Sequence, residues 1–168
     1  MLSLSKKTDY ALLALSYLTE VGTERSANTR EIAEKHDIPV ELLAKILQRL
    51  AKFGLVTSTA GPTGGYRLAK APDAISIGTV IAIVEGAPAI AHCFRSDGHA
   101  CEQLKKCTIR TPLEKINARI VQMLDRISLA EIARDDSHDI SLNVSTGRNT
   151  SSPLPLHVVQ SSLSLVLD

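Results

Sequence analysis

Between residues 28 and 70 the chain reads NTREIAEKHDIPVELLAKILQRLAKFGLVTSTAGPTGGYRLAK, and its hydrophobic period changes partway along. That change restricts the fold more than any other feature. Up to residue 53 the apolar residues recur at helical spacing; beyond it the runs are short and strand-like. Asn28 or Thr29 is placed to cap a short helix, with Glu31 positioned to reach back to the cap. Ile32 and Ala33 face inward, and this helix stops near His36-Asp37. Pro39 suits the first turn of a second helix, where its missing N–H leaves nothing unpaired. In that helix Leu43, Ile46, Leu47 and Leu50 form one apolar stripe, while Glu41, Lys45, Gln48, Arg49 and Lys52 project from the other side. Gly54 closes it. LVTSTA and YRLAK then read as two short strands, and GPTGG between them is a hairpin signal. Two short helices joined by a tight turn and followed at once by a β-hairpin make a winged helix-turn-helix.

The flanks complete the architecture. Residues 5–20 carry Tyr10, Leu13, Ala14, Tyr17 and Leu18 at helical spacing, and Gly22 ends that helix. ISIGTVIAIVEG (75–86) reads as a short helix packed on the core, with Ser76 as its cap. Pro112 opens a long helix in which Leu113, Ile116, Ile120, Met123, Leu124 and Ile127 repeat at steps of three and four, the narrow seam of a coiled coil. Aromatic residues make up only 3% of the chain and Trp is absent, so the core is built from Leu, Ile, Val and Ala, a set that favours helices. The expected fold is mainly α with a small β-hairpin wing. It divides into a winged helix-turn-helix DNA-binding domain (1–90), a cysteine segment (91–111), a dimerisation helix (112–136) and a tail (137–168). The tail holds eight Ser, two Pro and three charged residues, and is expected to be disordered or loosely docked.

Net charge is only +1, but residues 1–70 have 10 cationic against 7 anionic side chains, so the excess lies in the N-terminal part. A solvated surface accounts for that balance equally well. No apolar run is long enough to span a bilayer, and MLSLSKKTDY lacks the apolar core and cleavage site of a secretion signal, so a cytoplasmic setting is expected. No nucleophile–base order, phosphate-binding glycine loop or carboxylate pair stands out, which argues against an enzyme or a small-molecule substrate. The second helix of a helix-turn-helix enters the major groove while the first crosses the backbone. Gln48 can pair with adenine, and Lys45, Arg49 and Lys52 can hold phosphate or guanine. Thr29, Glu41 and Leu42 complete the expected DNA-facing set, with Thr63 in the wing. An amphipathic helix with a solvated polar face carries the same residue types; the hairpin directly after it is what favours DNA.

All three cysteines lie between residues 93 and 107. Cys93, Cys101 and Cys107 are separated by seven and five intervening residues, unlike the C-x2-C knuckles of structural zinc. Wider spacing allows a loop to wrap an iron–sulfur cluster, with the fourth position taken by a different group. Lys105, Lys106 and Arg110 adjoin the thiols, and neighbouring cations favour thiolate. Spacing alone leaves open a cluster, a metal-free redox switch, and a zinc-stabilised interaction module that does not bind DNA. Candidate fourth ligands are His92, His99, His36 and Asp9.

Five blocks in order, LSKKTDYALLALSYL, IAEKHDIPVELLAKILQRLAKFGLV, GPTGGYRLAKAP, VIAIVEG and the three-cysteine segment, resemble the Rrf-two family of bacterial winged-helix regulators over residues 1 to about 135. The resemblance implies a homodimer paired through 112–130 and bound to palindromic operator DNA. It further implies a [2Fe–2S] or [4Fe–4S] cluster on Cys93, Cys101 and Cys107, with DNA affinity following redox, nitric oxide or iron–sulfur status. Repression is the expected mode, and iron–sulfur assembly genes are the expected targets. Two positions depart from the family pattern. Ala60 stands where wings of the family often carry Arg before Gly-Pro, and Arg110 stands where IscR-like members have a ligating His. Asp9 occupies the position of an acidic ligand in some NsrR-like members.

Overall fold

The computed structural model describes residues 4–61, 64–94 and 101–134. Helix α1 spans Lys6–Val21, α2 Thr29–Lys35 and α3 Val40–Lys52. Strands β1 (Val56–Thr59) and β2 (Gly65–Leu68) follow, then α4 (Ile77–Glu85), α5 (Arg110–Arg126) and α6 (Leu129–Arg134). Single 3₁₀ turns occupy Pro72–Ala74 and His92–Phe94. The elements expected from the sequence are therefore present in order, within a residue or two at their ends except for the long helix expected over 112–136, which is broken at Ile127. The tail 137–168 lies outside the described residues.

The core is aliphatic, as the composition requires. Leu15 and Leu18 of α1, Ile32 of α2, and Leu43, Leu47 and Leu50 of α3 are fully buried against Val80 of α4 and Leu129 of α6. The strands form an antiparallel hairpin with Val56 opposite Leu68 and Thr57 opposite Arg67. Val56 and Leu68 face the core, which leaves Thr57 and Arg67 on the solvent side of the ladder. Ala27, just before α2, adds a third partner by exchanging backbone hydrogen bonds with Tyr66 at 2.9 and 2.8 Å. Gly65 allows this approach, because a Cβ there would run into the backbone of Ala27 and Asn28.

The turn between α2 and α3 is fixed by backbone geometry. Ile38 N–H reaches back to the Ala33 carbonyl at 2.9 Å, while Asp37 takes the left-handed conformation at φ 51°. The end of α3 repeats the arrangement: Leu55 N–H bonds to the Leu50 carbonyl at 3.0 Å across Gly54, whose φ is 70°. In each case the residue after the left-handed one, Ile38 or Leu55, is buried. Helix α3 is thus held at both ends by an apolar plug.

Three expectations are corrected in detail. Asn28 does cap α2, its Oδ1 accepting from Glu31 N–H at 2.9 Å, but Glu31 does not reach back. Its carboxylate instead accepts from the Tyr17 hydroxyl and the Arg25 guanidinium, both at 2.7 Å, tying α1 to the start of α2. Pro39 is the N-cap of α3 rather than a member of its first turn. The long helix expected from residue 112 begins at Arg110 and ends at Arg126, because Ile127 adopts extended geometry. Ser128 then caps α6: its Oγ accepts from Glu131 N–H at 3.2 Å, while Glu131 Oε1 accepts from Ser128 N–H at 3.1 Å. Around the break, Ile77 N–H donates to the Ile127 carbonyl and Leu129 N–H to the Ile75 carbonyl, at 2.9 and 2.8 Å. This two-rung ladder fastens the end of α5 to the start of α4, and α6 turns back to pack against α1.

Candidate nucleic-acid interface and cysteine segment

Helix α3 separates its faces as 3.6 residues per turn dictates. Leu43, Ile46, Leu47 and Leu50 are buried, and Glu41, Lys45, Gln48 and Lys52, spaced four, three and four apart, form an exposed stripe on the opposite side. Leu42 is half-buried at the edge of this stripe. Thr29 is the half-buried first residue of α2. Thr63, expected in the wing, lies outside the described residues.

Arg49, expected beside Gln48 to hold phosphate or guanine, is exposed. Its Nε–H donates to the carbonyl oxygen of Ile83, in the last turn of α4. That carbonyl is among the four at a helix end that lack a partner within the helix, and a cation there also meets the negative end of the dipole. On the helical wheel Arg49 falls next to Leu42, at the flank of the Lys45–Lys52 stripe nearest α4.

Arg67, which the sequence reading passed over, is exposed on the solvent side of the hairpin and its Nε–H donates to Thr57 Oγ1 at 3.3 Å. The wing thus keeps a cation on its outer side although residue 60 is Ala. Behind α2 and α3, Tyr17 is a polar hub. Its hydroxyl donates to Glu31, its ring meets His36 edge-on with centroids 6.0 Å apart, and Lys35 Nζ stands 5.5 Å over its face. Arg25 and then Tyr17 hold the Glu31 carboxyl below its ordinary value, and the hydrogen bond to Glu31, helped by burial, raises the Tyr17 phenol.

Cys93 sits in the His92–Phe94 turn; Cys101 and Cys107 lie on either side of the turns at 102–106 that precede α5. All three are free and half-buried. Three thiols in one segment are a donor set that suits an iron–sulfur cluster. Among the described residues, however, no three His, Cys, Asp or Glu side chains gather as they would around a metal. Asp9 is exposed in the first turn of α1, His36 is engaged with Tyr17, and His99 lies outside the described residues.

Helix α5 follows the cysteines and has no buried residue. Its seam leaves Ile116 47% and Met123 55% exposed, and Ile109 just before it 60%. On the inner side Asn117 spans a loop: its Oδ1 accepts from Ile90 N–H at 2.9 Å and its Nδ2 donates to the Pro88 carbonyl at 3.4 Å. Among the described residues, no helix is long and apolar enough to cross a membrane.

Comparison with known proteins agrees with this architecture. The model of the Rrf2 family, described as an iron-dependent transcriptional regulator, matches residues 4–135. The transcriptional regulator NsrR of Geobacillus kaustophilus is 32% identical over 134 residues, which is 80% of this chain and 91% of that protein. The regulator IscR of Aliivibrio salmonicida is 31% identical over 160 residues, covering 91% and 94%. The structure of CymR, the global cysteine regulator of B. subtilis, superposes with a TM-score of 0.63 at 28% identity over 79% of this chain and 97% of that one. With a winged helix-turn-helix, an outward polar stripe on α3 and a family match over nearly all its described length, the chain belongs to the Rrf2 family of transcriptional regulators, none of whose activity is enzymatic.

Proposed function

We propose that the protein is a cytoplasmic, dimeric repressor that reads operator DNA with α3 and adjusts its grip through Cys93, Cys101 and Cys107. The observation that carries this reading is the Glu41–Lys45–Gln48–Lys52 stripe, exposed along one side of a helix whose opposite side is locked in the core. Lys45 and Lys52 supply phosphate contacts and Gln48 a donor–acceptor pair for an adenine edge, while Glu41 discriminates among bases as an acceptor. Thr29 at the start of α2, Leu42 at the stripe's edge and Thr63 in the wing flank these positions. The partner is a second copy, joined along the exposed α5 seam; this places two α3 helices for half-sites about one DNA turn apart.

Cys93, Cys101 and Cys107 would hold an iron–sulfur cluster, with Asp9 as a fourth donor from the partner chain. Such a group supplies a redox- and nitric-oxide-sensitive tie within the segment between α4 and α5. The target genes under this reading are those of iron–sulfur assembly. A metal-free reading of the same fold is favoured by the 28% identity to a cysteine regulator. In it, two of the thiols lose two protons and two electrons to a peroxide, which leaves as two waters, and the disulfide does the work of the cluster.

A duplex selected by the wild-type protein from a random-sequence pool provides the DNA test. Gln48→Ala is expected to weaken binding and relax base preference at one position of each half-site, and an unchanged preference would overturn the assignment of α3. Anaerobic reconstitution followed by absorption spectroscopy tests the cluster. The expected iron–sulfur bands vanish in Cys93→Ser under the cluster reading; their absence from wild type leaves the thiol switch, which mass spectrometry after peroxide reads directly.

A further inference from the structure

Beyond reading and sensing residues, we propose that Asn117 is a latch at the neck of the cysteine loop, a positioning residue through which the state of the sulfurs reaches the reading helix. The proposal rests on the reading above that the cysteines govern DNA affinity.

The chain leaves α4 at Glu85 and enters α5 at Arg110, and the incoming strand at residues 88–90 is the neck of the cysteine segment. Asn117 holds that neck to α5. Ile90, three residues before Cys93, gives its N–H to Asn117 Oδ1, and the carbonyl of Pro88 takes the Nδ2 hydrogen. One amide side chain thereby reads both a donor and an acceptor of the incoming strand, as a neighbouring strand would. Asn117 stands seven residues after Arg110, the first residue of α5, and Cys107 lies three residues before that start. The tie therefore fixes the incoming flank of the thiol segment directly, and the outgoing flank through the first two turns of α5.

The two ends of the α4–α5 pair are fastened differently. At the Arg126 end, the backbone ladder of residues 75–77 with 127–129 joins the helices, and Leu129 anchors it in the core. At the Cys-loop end the polar tie among the described residues is Asn117, one side chain whose two bonds can part without unfolding anything. On its far side, α4 is tied to the reading helix by Arg49, whose Nε–H holds the Ile83 carbonyl three residues before Gly86. A continuous line runs from the Cys93 segment through Ile90, Asn117 and the end of α4 to Arg49 on α3. Gathering or releasing the thiols changes the span that the loop must cover, and that change acts first on its neck. Asn117 is half-buried at this point and presents no charge to DNA or metal. Its role is to keep the incoming strand in register with α5.

The test uses the full-length protein and a duplex selected by wild type from a random pool, with the thiols either reduced or capped by N-ethylmaleimide. Wild type is expected to change its dissociation constant by about tenfold between the two states, within the range usual for allosteric coupling. Asn117→Leu is expected to bind as wild type does when reduced and to lose most of that ratio, and Cys93 is expected to alkylate several-fold faster relative to Cys107. An Asn117→Leu protein that keeps the full ratio overturns the latch and leaves the sensing role intact. A wild type with no ratio overturns the sensing role itself, and the latch with it. If Asn117→Leu fails to fold by circular dichroism, Asn117→Asp and Ile90→Pro separate the same bond. The first retains the acceptor and is expected to keep the ratio; the second removes the donor and is expected to lose it. Equal ratios in both overturn the proposal.

Discussion

Replacing Lys45 by Ala puts the DNA-binding assignment to a quantitative test. Lys45 and Lys52 are exposed on the outward stripe of α3, seven residues and two helical turns apart. At 1.5 Å rise per residue their Cα atoms are about 10 Å apart along the helix axis, room for each ammonium to meet its own phosphate. Removing one cation from a phosphate lowers the slope of log affinity against log salt by about 0.9, so the two copies in the proposed dimer lower it by about 1.8. Between 50 and 200 mM salt that difference makes the wild-type advantage shrink by roughly tenfold. Fluorescence anisotropy on the selected duplex, repeated at four salt concentrations, measures both slopes. Lys115 on α5 is the control, since it lies on a different helix. Equal slopes for Lys45→Ala and wild type, or a lowered slope for Lys115→Ala instead, would refute the placement of α3 against the phosphates.

Three further substitutions probe the scaffold. Leu47 is fully buried on the inward side of α3, so Leu47→Ala should cost about 2–5 kcal/mol and lower the melting temperature and DNA binding together. Ser128→Ala removes the cap of α6 and should cost about 1 kcal/mol in denaturant unfolding while leaving the secondary structure of α3 unchanged. Glu31 supplies a pH signature. Arg25 and Tyr17 hold its carboxyl below the ordinary value of 4.5, and a depressed acid contributes stability that is present above that value and lost as pH falls through the folded one. Unfolding free energy should therefore drop on acidification below about pH 4.5, and Glu31→Gln should flatten this part of the profile relative to wild type.

The reading unit was legible because its signals are local. The stripe Leu43–Ile46–Leu47–Leu50, the caps at Asn28 and Ser76 and the glycines at 22 and 54 each depend on residues within one or two helical turns. Asp37 was less so: a charged residue stands where a left-handed C-cap usually carries Gly, and only the buried Ile38 after it marks the turn. The break at Ile127 was visible in principle, since Ser128-Leu-Ala-Glu131 is a capping box, but the apolar seam runs straight across it and the longer pattern won. The side-chain ties escaped for a different reason. Arg49 with Ile83 joins residues 34 apart, and Asn117 with Ile90 joins residues 27 apart. Each ends on a backbone atom, which every residue type possesses, so no pairing of letters reveals it.

Under the proposed function, those long-range ties decide how a signal can move α3. Helix α3 is plugged at its start by Ile38 and at its end by Leu55, its inner side is buried in the core, and its flank is held to α4 by Arg49. A helix held at four places does not tilt alone, because close-packed cores resist continuous deformation. It moves with α4, or not at all. Helix α5 is different: it has no buried residue, its seam is exposed, and beyond the ladder at residues 127–129 its hold on α4 includes the Asn117 bonds. Under the proposed dimer, the soft joint in each protomer lies between the pairing helix and the reading unit. The natural motion is a rotation of whole reading units about the α5 pair. A shift of that kind alters the separation of the two α3 helices without altering either of their surfaces, so it changes affinity for a fixed half-site spacing while preserving base preference within each half-site.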